Sequence, residues 1–284
     1  MKKRILLVTD FSNNAWNAIV YALELYKEVE CSFYVLNAFN ASGYLKSSLM
    51  IPEPGEVKYE AAKLESEEGL VRAVRKITFR EENNPKHTYS TISTFNGLLE
   101  ATLKAIEEKD IDLVVMGTKG ETNASTIIYG SNAITLMEKI RNCPVLVVPE
   151  VTDSIPPKEI VFPTSYKTHF KRKELSHLIE IAKISDASIK ILHLEKEDGL
   201  GEKQLNNKNL LEKCFEEVDY SFHTLSNMEV TAAVNCFVES RGSDMVAFIN
   251  KKHKFFGSIL TQPLVKNLGY YTKVPVLVMH DLRN

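Results

Sequence analysis

The chain has 284 residues, 44% of them hydrophobic and 25% charged, with a formal net charge of −2. That length is generous for one domain and comfortable for two, and the near-neutral balance excludes a broad basic surface for nucleic acid. No apolar run approaches the roughly 18–20 residues that span a bilayer; the short one in "MKKRILLVTD" stops before Asp10, so it reads as a buried strand and the protein is expected in the cytoplasm.

In chain order, Ile5–Thr9 is a continuous apolar run and predicts a strand buried on both faces. Trp16, Ile19, Val20, Leu23 and Tyr26 then recur at helical spacing, with Ser12 or Asn13 as the N-cap. Ser32–Ala38 is a strand. The segment Asn40–Glu56 carries Tyr44, Leu45, Leu49 and Met50 and reads as a lid, a docking loop or a packed connection. Glu56–Ile77 is a long charged helix, His87–Thr94 an alternating strand, and "GLLEATLKAIEEKD" a helix. Leu113–Met116, Ser131–Ile140 and Pro144–Val148 complete a strand, helix, strand series. Apolar strands alternating with helices predict a parallel sheet covered on both faces and connected right-handedly.

The chain then repeats itself. "KRILLVTDFS" returns as "KEIVFPTSYK", "FYVLNAF" as "IKILHLE", "DLVVMGTKG" as "DMVAFINKK", and "CPVLVVPE" as "VPVLVMHD", in the same order. Two tandem α/β domains are expected, residues 1–150 and 158–284, each a parallel five-stranded sheet. "VTDSIPP" (151–157) would be the linker, stiffened by its double proline. Cys31, Cys143, Cys214 and Cys236 stand singly, which in a cytosolic chain predicts reduced thiols, and no histidine spacing reads as a metal site.

Three of the twelve glycines fall in "MGTKGETNASTIIYGSNAI", at Gly117, Gly120 and Gly130, the last followed by Ser131. This is neither a Walker loop nor GxGxxG. Its physics is similar: Gly117 would let a ligand lie against the backbone, and Gly120 would permit a left-handed turn. Gly130-Ser131 would open a helix whose free N–H groups and dipole favour phosphate. The alternative is a plain strand–helix connection with turn glycines and a serine cap. Ligands of such sheets bind beyond the carboxyl ends of the strands, where strand order switches, and both Gly117 and Asp10 fall at such ends.

With "ILLVTDFS" before it and "CPVLVV" after it, this segment closely resembles the universal stress protein family, matching the motif of its ATP-binding branch at Gly117, Gly120, Gly130 and Ser131. The resemblance spans nearly the whole chain as a tandem pair, stronger over 1–150, and implies a Rossmann-like fold of the adenine nucleotide alpha hydrolase-like kind. It implies that Asp10 contacts the nucleoside and that backbone groups near Asn37 and Ala38 meet adenine. The four motif residues would surround ribose and phosphates, with Thr118 and Lys119 beside them. ATP is the cofactor implied, with or without magnesium, and the last strands of the two domains are expected to pair antiparallel within the chain. A homodimer and an unidentified protein partner are compatible with this; a membrane span is not.

The second half departs from the motif: Ser165 replaces Asp10, Ile249 replaces Gly117 and Lys252 replaces Gly120, while Gly257-Ser258 comes too early. That half is expected to have lost the nucleotide site. His193 stands where Asn37 stands and reads as a satisfied strand-end histidine; Lys251–Lys254 reads as a solvated basic loop. The leading expectation is an ATP-binding stress or regulatory protein with no catalytic residues. A slow ATP-hydrolysing enzyme and a nucleotide-free scaffold are the alternatives.

Overall fold

The computed structural model describes residues 2–39, 53–118, 130–150, 152–195, 199–250 and 273–280. Lys119, Gly120, most of the segment after β2 and residues 251–258 of the basic loop lie outside them. The first half runs β1 (Lys3–Val8), α1 (Asn13–Leu25), β2 (Cys31–Phe39), α2 (Val57–Arg80), β3 (His87–Phe95), α3 (Leu98–Lys109), β4 (Leu113–Gly117), α4 (Ser131–Lys139) and β5 (Val145–Val148). The second half runs β6 (Glu159–Thr164), a 3₁₀ turn (Arg172–Leu175), α5 (Ser176–Ser185), β7 (Ser188–Glu195), α6 (Glu202–Cys214), β8 (Tyr220–Ser226), α7 (Val230–Arg241), β9 (Met245–Asn250) and β10 (Val276–His280).

Local chemistry accounts for most boundaries. Ser12 caps α1, its Oγ accepting from the Ala15 amide at 3.2 Å. The helix α2 outlasts its expected end at Ile77 because Thr78, Phe79 and Arg80 continue it on the solvent side. It stops where Glu82 and Asn83 adopt positive φ of 49° and 58°. β4 runs one residue further than expected and takes in Gly117.

All ten strands join one sheet, ordered β3-β2-β1-β4-β5-β10-β9-β6-β7-β8. The five strands of each half run parallel, and the halves meet where β5 and β10 pair antiparallel, with Val147 opposite Val276 and Val145 opposite Val278. The two apolar terminal strands thus cover each other's edges. Successive strand residues alternate between faces. Ile5 and Leu7 join a core with α1, α2, α5 and α6, and Leu6 and Val8 one with α3, α4 and α7. The antiparallel seam sends the carboxyl ends of the two parallel sets to opposite sides of the sheet.

Thr152–Pro157 carries no helix or strand but is laid against α1. The Asn17 amide stands 3.0 Å from the Pro149 carbonyl and 3.2 Å from that of Thr152, and the Ser154 hydroxyl donates to Asn17 Oδ1 at 3.4 Å. All four cysteines are free, Cys31, Cys143 and Cys214 buried and Cys236 exposed. Burial pushes the Cys31 and Cys143 thiols up to about 12, which makes both inert at neutral pH.

Candidate functional site

In the first half β1 lies between β2 and β4, so the chain crosses to opposite sides of β1 in successive connections. The crevice beyond the carboxyl ends of β1 and β4 is therefore the switch point at which ligands of open α/β sheets bind.

The turn leaving β1 is held by three short side chains in succession. Thr9 Oγ1 accepts from the Phe11 amide at 2.9 Å, Asp10 Oδ1 from the Ser12 amide at 3.1 Å, and Ser12 begins α1 as its cap. Phe11 adopts φ 67°, an unusual conformation for a bulky residue. The Asp10 carboxylate remains exposed at the rim. Asp10 accordingly does not cap the helix; Ser12 does.

β2 extends beyond β1. Thr9 N–H donates to the Leu36 carbonyl at 2.9 Å, which fixes that carbonyl as pointing toward β1. With a period of two, the Ala38 N–H and C=O face the same way, past the end of β1 and over the crevice. The Asn37 side chain is buried instead, donating from Nδ2 to the Thr9 carbonyl at 2.8 Å. Phe39, Tyr59 and Phe95 close this end as a cluster with ring centroids 5.0 to 5.9 Å apart.

On the other side, Thr118 follows β4 and ties three elements together. Its N–H donates to the Val148 carbonyl at 3.2 Å, its carbonyl accepts from the Gly130 amide at 2.6 Å, and its Oγ1 accepts from Asn14 Nδ2 at 3.1 Å. Thr118 is only 2% exposed, so its hydroxyl supports the site from within the protein. Gly130 is the N-cap of α4, with no side-chain cap bond and no acid in the first turn. The first N–H groups of α4, with exposed Ser131 and Asn132, are thus presented beside the end of β4 with their positive dipole end outward.

One glycine expectation needs correction. Gly117 is the last residue of β4, and a Cβ there would stand 2.6 Å from Asn14 Oδ1 and 3.0 Å from the Asn14 carbonyl carbon. Close packing of α1 already accounts for that glycine. Gly130-Ser131 opens α4 as expected, with Gly130 in ordinary extended backbone at φ −69° and ψ 159°. Lys119 and Gly120 lie outside the described residues. The supporting residues Asn14 and Phe11 were not foreseen.

The second half repeats the first turn and then fills it. Thr164 Oγ1 accepts from the Tyr166 amide at 3.2 Å, Tyr166 has φ 53°, and His193 Nδ1 donates to the Thr164 carbonyl at 3.0 Å from the place held by Asn37. His193 is buried and satisfied, as expected. Here, however, the Tyr166 ring is buried against His193 at 4.8 Å. From α6, Gln204 donates to the Ser165 carbonyl at 2.9 Å and Asn207 to that of Tyr166 at 2.7 Å. Phe11, in contrast, is 40% exposed and lies over Gly69 of α2. Ile249, in place of Gly117, is buried in β9.

Comparison with known proteins agrees with this geometry. The model of the universal stress protein family matches residues 1–149. A universal stress protein of Methanocaldococcus jannaschii, MJ0531, is 32% identical over 150 residues, covering 51% of this chain and 81% of that protein. Over the whole length, the fold is that of a universal stress protein from Archaeoglobus fulgidus, with TM-score 0.65, 17% identity and coverage of 97% of this chain and 95% of that one. A putative universal stress protein from Pseudomonas aeruginosa is similar at TM-score 0.62 and 12% identity, over 98% of this chain and 93% of that one. With its switch-point crevice, glycine–serine helix start and first-half match, the chain belongs to the universal stress protein family.

Proposed function

We propose that the chain binds ATP in the crevice between Asp10 and the start of α4 and acts as a cytoplasmic regulatory module whose contacts depend on that nucleotide. In this reading residues 1–150 form the nucleotide-binding domain, 151–157 the linker, and 158–284 a related domain that has lost the site. The observation that carries it is the α4 N-terminus: among the described residues it has no side-chain cap and no acid in its first turn, and it is fixed to the end of β4 through the Gly130–Thr118 hydrogen bond of 2.6 Å. Such a terminus offers several N–H donors to phosphate oxygens.

The other groups fit around it. Ala38 backbone would read the adenine edge, Asp10 would accept from a ribose hydroxyl, and Gly130 and Ser131 would line the phosphates, with Lys119 and Gly120 supplied by the intervening segment. ATP brings a phosphate chain that these donors neutralise; magnesium would travel with the phosphates. Efficient hydrolysis would require a positioned base and metal-holding carboxylates, and the α4 first turn supplies neither. In the second half the buried Tyr166 ring and the bonds from Gln204 and Asn207 to the Ser165 and Tyr166 carbonyls tie the turn after β6 to α6, which supports reading that half as one without the site.

Titration calorimetry of the full chain tests this. One ATP per chain is expected, with steady-state turnover far below the roughly 1–100 s⁻¹ of kinases. No binding would favour the nucleotide-free scaffold, two equal sites would remove the assignment of a lost second site, and kinase-like turnover would favour an enzyme.

A further inference from the structure

We propose that α2 is a self-association surface, on which a second copy of this chain lays its own α2 in the antiparallel sense. The proposal is independent of nucleotide binding. α2 has 24 residues and is therefore about 36 Å long. It buries Ser66, Gly69, Leu70 and Ile77 against its own sheet. Its opposite face carries Val57, Leu64, Val71 and Phe79, exposed to 85%, 57%, 47% and 89% respectively. Their spacing of seven, seven and eight residues, with Ala61 between the first two, puts them on one face of α2, a face they share with Glu68 and Arg75; a helix seam with polar residues at single positions fixes register. A solvated helix face has no reason to keep such a stripe; scattered single apolar residues would be ordinary.

Charge then selects the partner and its direction. The first half of α2 holds Glu60, Glu65, Glu67 and Glu68 against Lys58 and Lys63. The second half holds Arg72, Arg75, Lys76 and Arg80 and no acid. Antiparallel pairing about a two-fold axis near Glu68 sets acidic half against basic half twice over. It brings Leu64 opposite Val71 of the second copy, Val57 opposite Phe79, and Glu65 opposite Arg72; Lys76 stays over the Trp16 ring of its own chain at 3.8 Å and Arg80 stays with its own Glu24 at 3.1 Å. Glu68 is neutralised from its own helix by Arg72, 3.4 Å away. Parallel pairing would set the four cations against their own kind, which is unfavourable. α2 packs on β2 and β3, at the outer edge of the sheet, so this contact leaves the β5–β10 seam untouched.

Sedimentation velocity on the full chain across a concentration series should show a monomer–dimer equilibrium that weakens with salt. Leu64→Glu combined with Phe79→Glu should weaken it at least about tenfold, equivalent to about 1.4 kcal/mol, with an unchanged circular dichroism spectrum because both positions face solvent. Disulfide trapping in a Cys236→Ser background reads the direction. Glu68→Cys should cross-link to itself, whereas Val57→Cys should cross-link to Phe79→Cys and not to itself. A monomer at every concentration, a dimer indifferent to the paired glutamates, or self-linking of Val57→Cys would overturn the proposal.

Discussion

Asn14 packs against Gly117 so closely that the strand end has no room for a side chain. The Asn14 amide donates to Thr118 Oγ1 at 3.1 Å, while its Oδ1 and carbonyl carbon stand where a Cβ on residue 117 would have to go. The first turn of α1 is thereby locked onto the end of β4, and with it the strand end from which Thr118 fixes α4.

Gly117→Ala is expected to destabilise the protein by about 1–3 kcal/mol, the usual cost of overpacking, because one of the three Asn14 atoms it meets is backbone and cannot swing aside. Urea unfolding measures this. A neutral or stabilised Gly117→Ala protein would mean that α1 yields easily and that the glycine is kept for another reason.

The fold was legible because its signals are local: Ile5–Val8 and Val145–Val148 are uninterrupted apolar runs, and Ser12 stands immediately before the helical spacing it caps. The antiparallel pairing of β5 with β10 was implied by the family resemblance, and it covers two apolar strand edges. The placement of Asp10 just after a strand and of Gly130-Ser131 at a helix start was legible as well. The reasons for individual residues were not. Gly117 looked like room for a ligand, but its neighbour Asn14 is 103 positions away in sequence, and no local pattern announces such a contact. Phe11 reads as one more apolar residue after a strand, and only the fold lays it over Gly69.

Asp10→Ala is expected to weaken ATP binding about tenfold or more while lowering stability by no more than about 1 kcal/mol, the worth of one exposed hydrogen bond. Among the described residues its Oδ1 holds only the Ser12 amide, at 3.1 Å, and α1 keeps its own cap. Calorimetry and thermal unfolding on the same preparation separate the two effects. A large stability loss with unchanged affinity would make Asp10 a structural turn residue.

Acid should loosen the second half through His177. Burial, reinforced by the Lys3 ammonium, lowers its imidazole from 6.5 to about 4. Glu180, 3.9 Å away, does not offset this, since its carboxylate is already paired with Lys3 at 2.6 Å. The unfolded chain therefore binds a proton that the folded chain refuses between these two values. Stability is full above about pH 6.5 and falls as pH drops toward 4, with a slope of at most about 1.4 kcal/mol per pH unit for one proton. His177→Gln should flatten that limb of the urea midpoint against pH, whereas an unchanged limb would assign it to other groups.

Gly130→Asp separates a phosphate site from a mere helix start. The backbone at 130, with φ −69° and ψ 159°, accepts any L-residue, and α4 has no side-chain cap. An aspartate there should bond the free N–H groups and sit favourably at the dipole's positive end, raising stability by a few tenths of a kcal/mol. The same carboxylate would occupy the donors that phosphate needs and repel it, so ATP affinity should fall at least tenfold, about 1.4 kcal/mol. Gly130→Asn is the control: it caps with similar geometry but carries no charge, so it should gain the stability and lose less affinity. Removing the Ser131 hydroxyl should cost less than Gly130→Asp, because Ser131→Ala deletes one donor and leaves the amides free. Thermal unfolding and ATP titration of all three variants decide the matter. If Gly130→Asp is stabilised and still binds ATP as the parent does, the nucleotide does not lie at the start of α4.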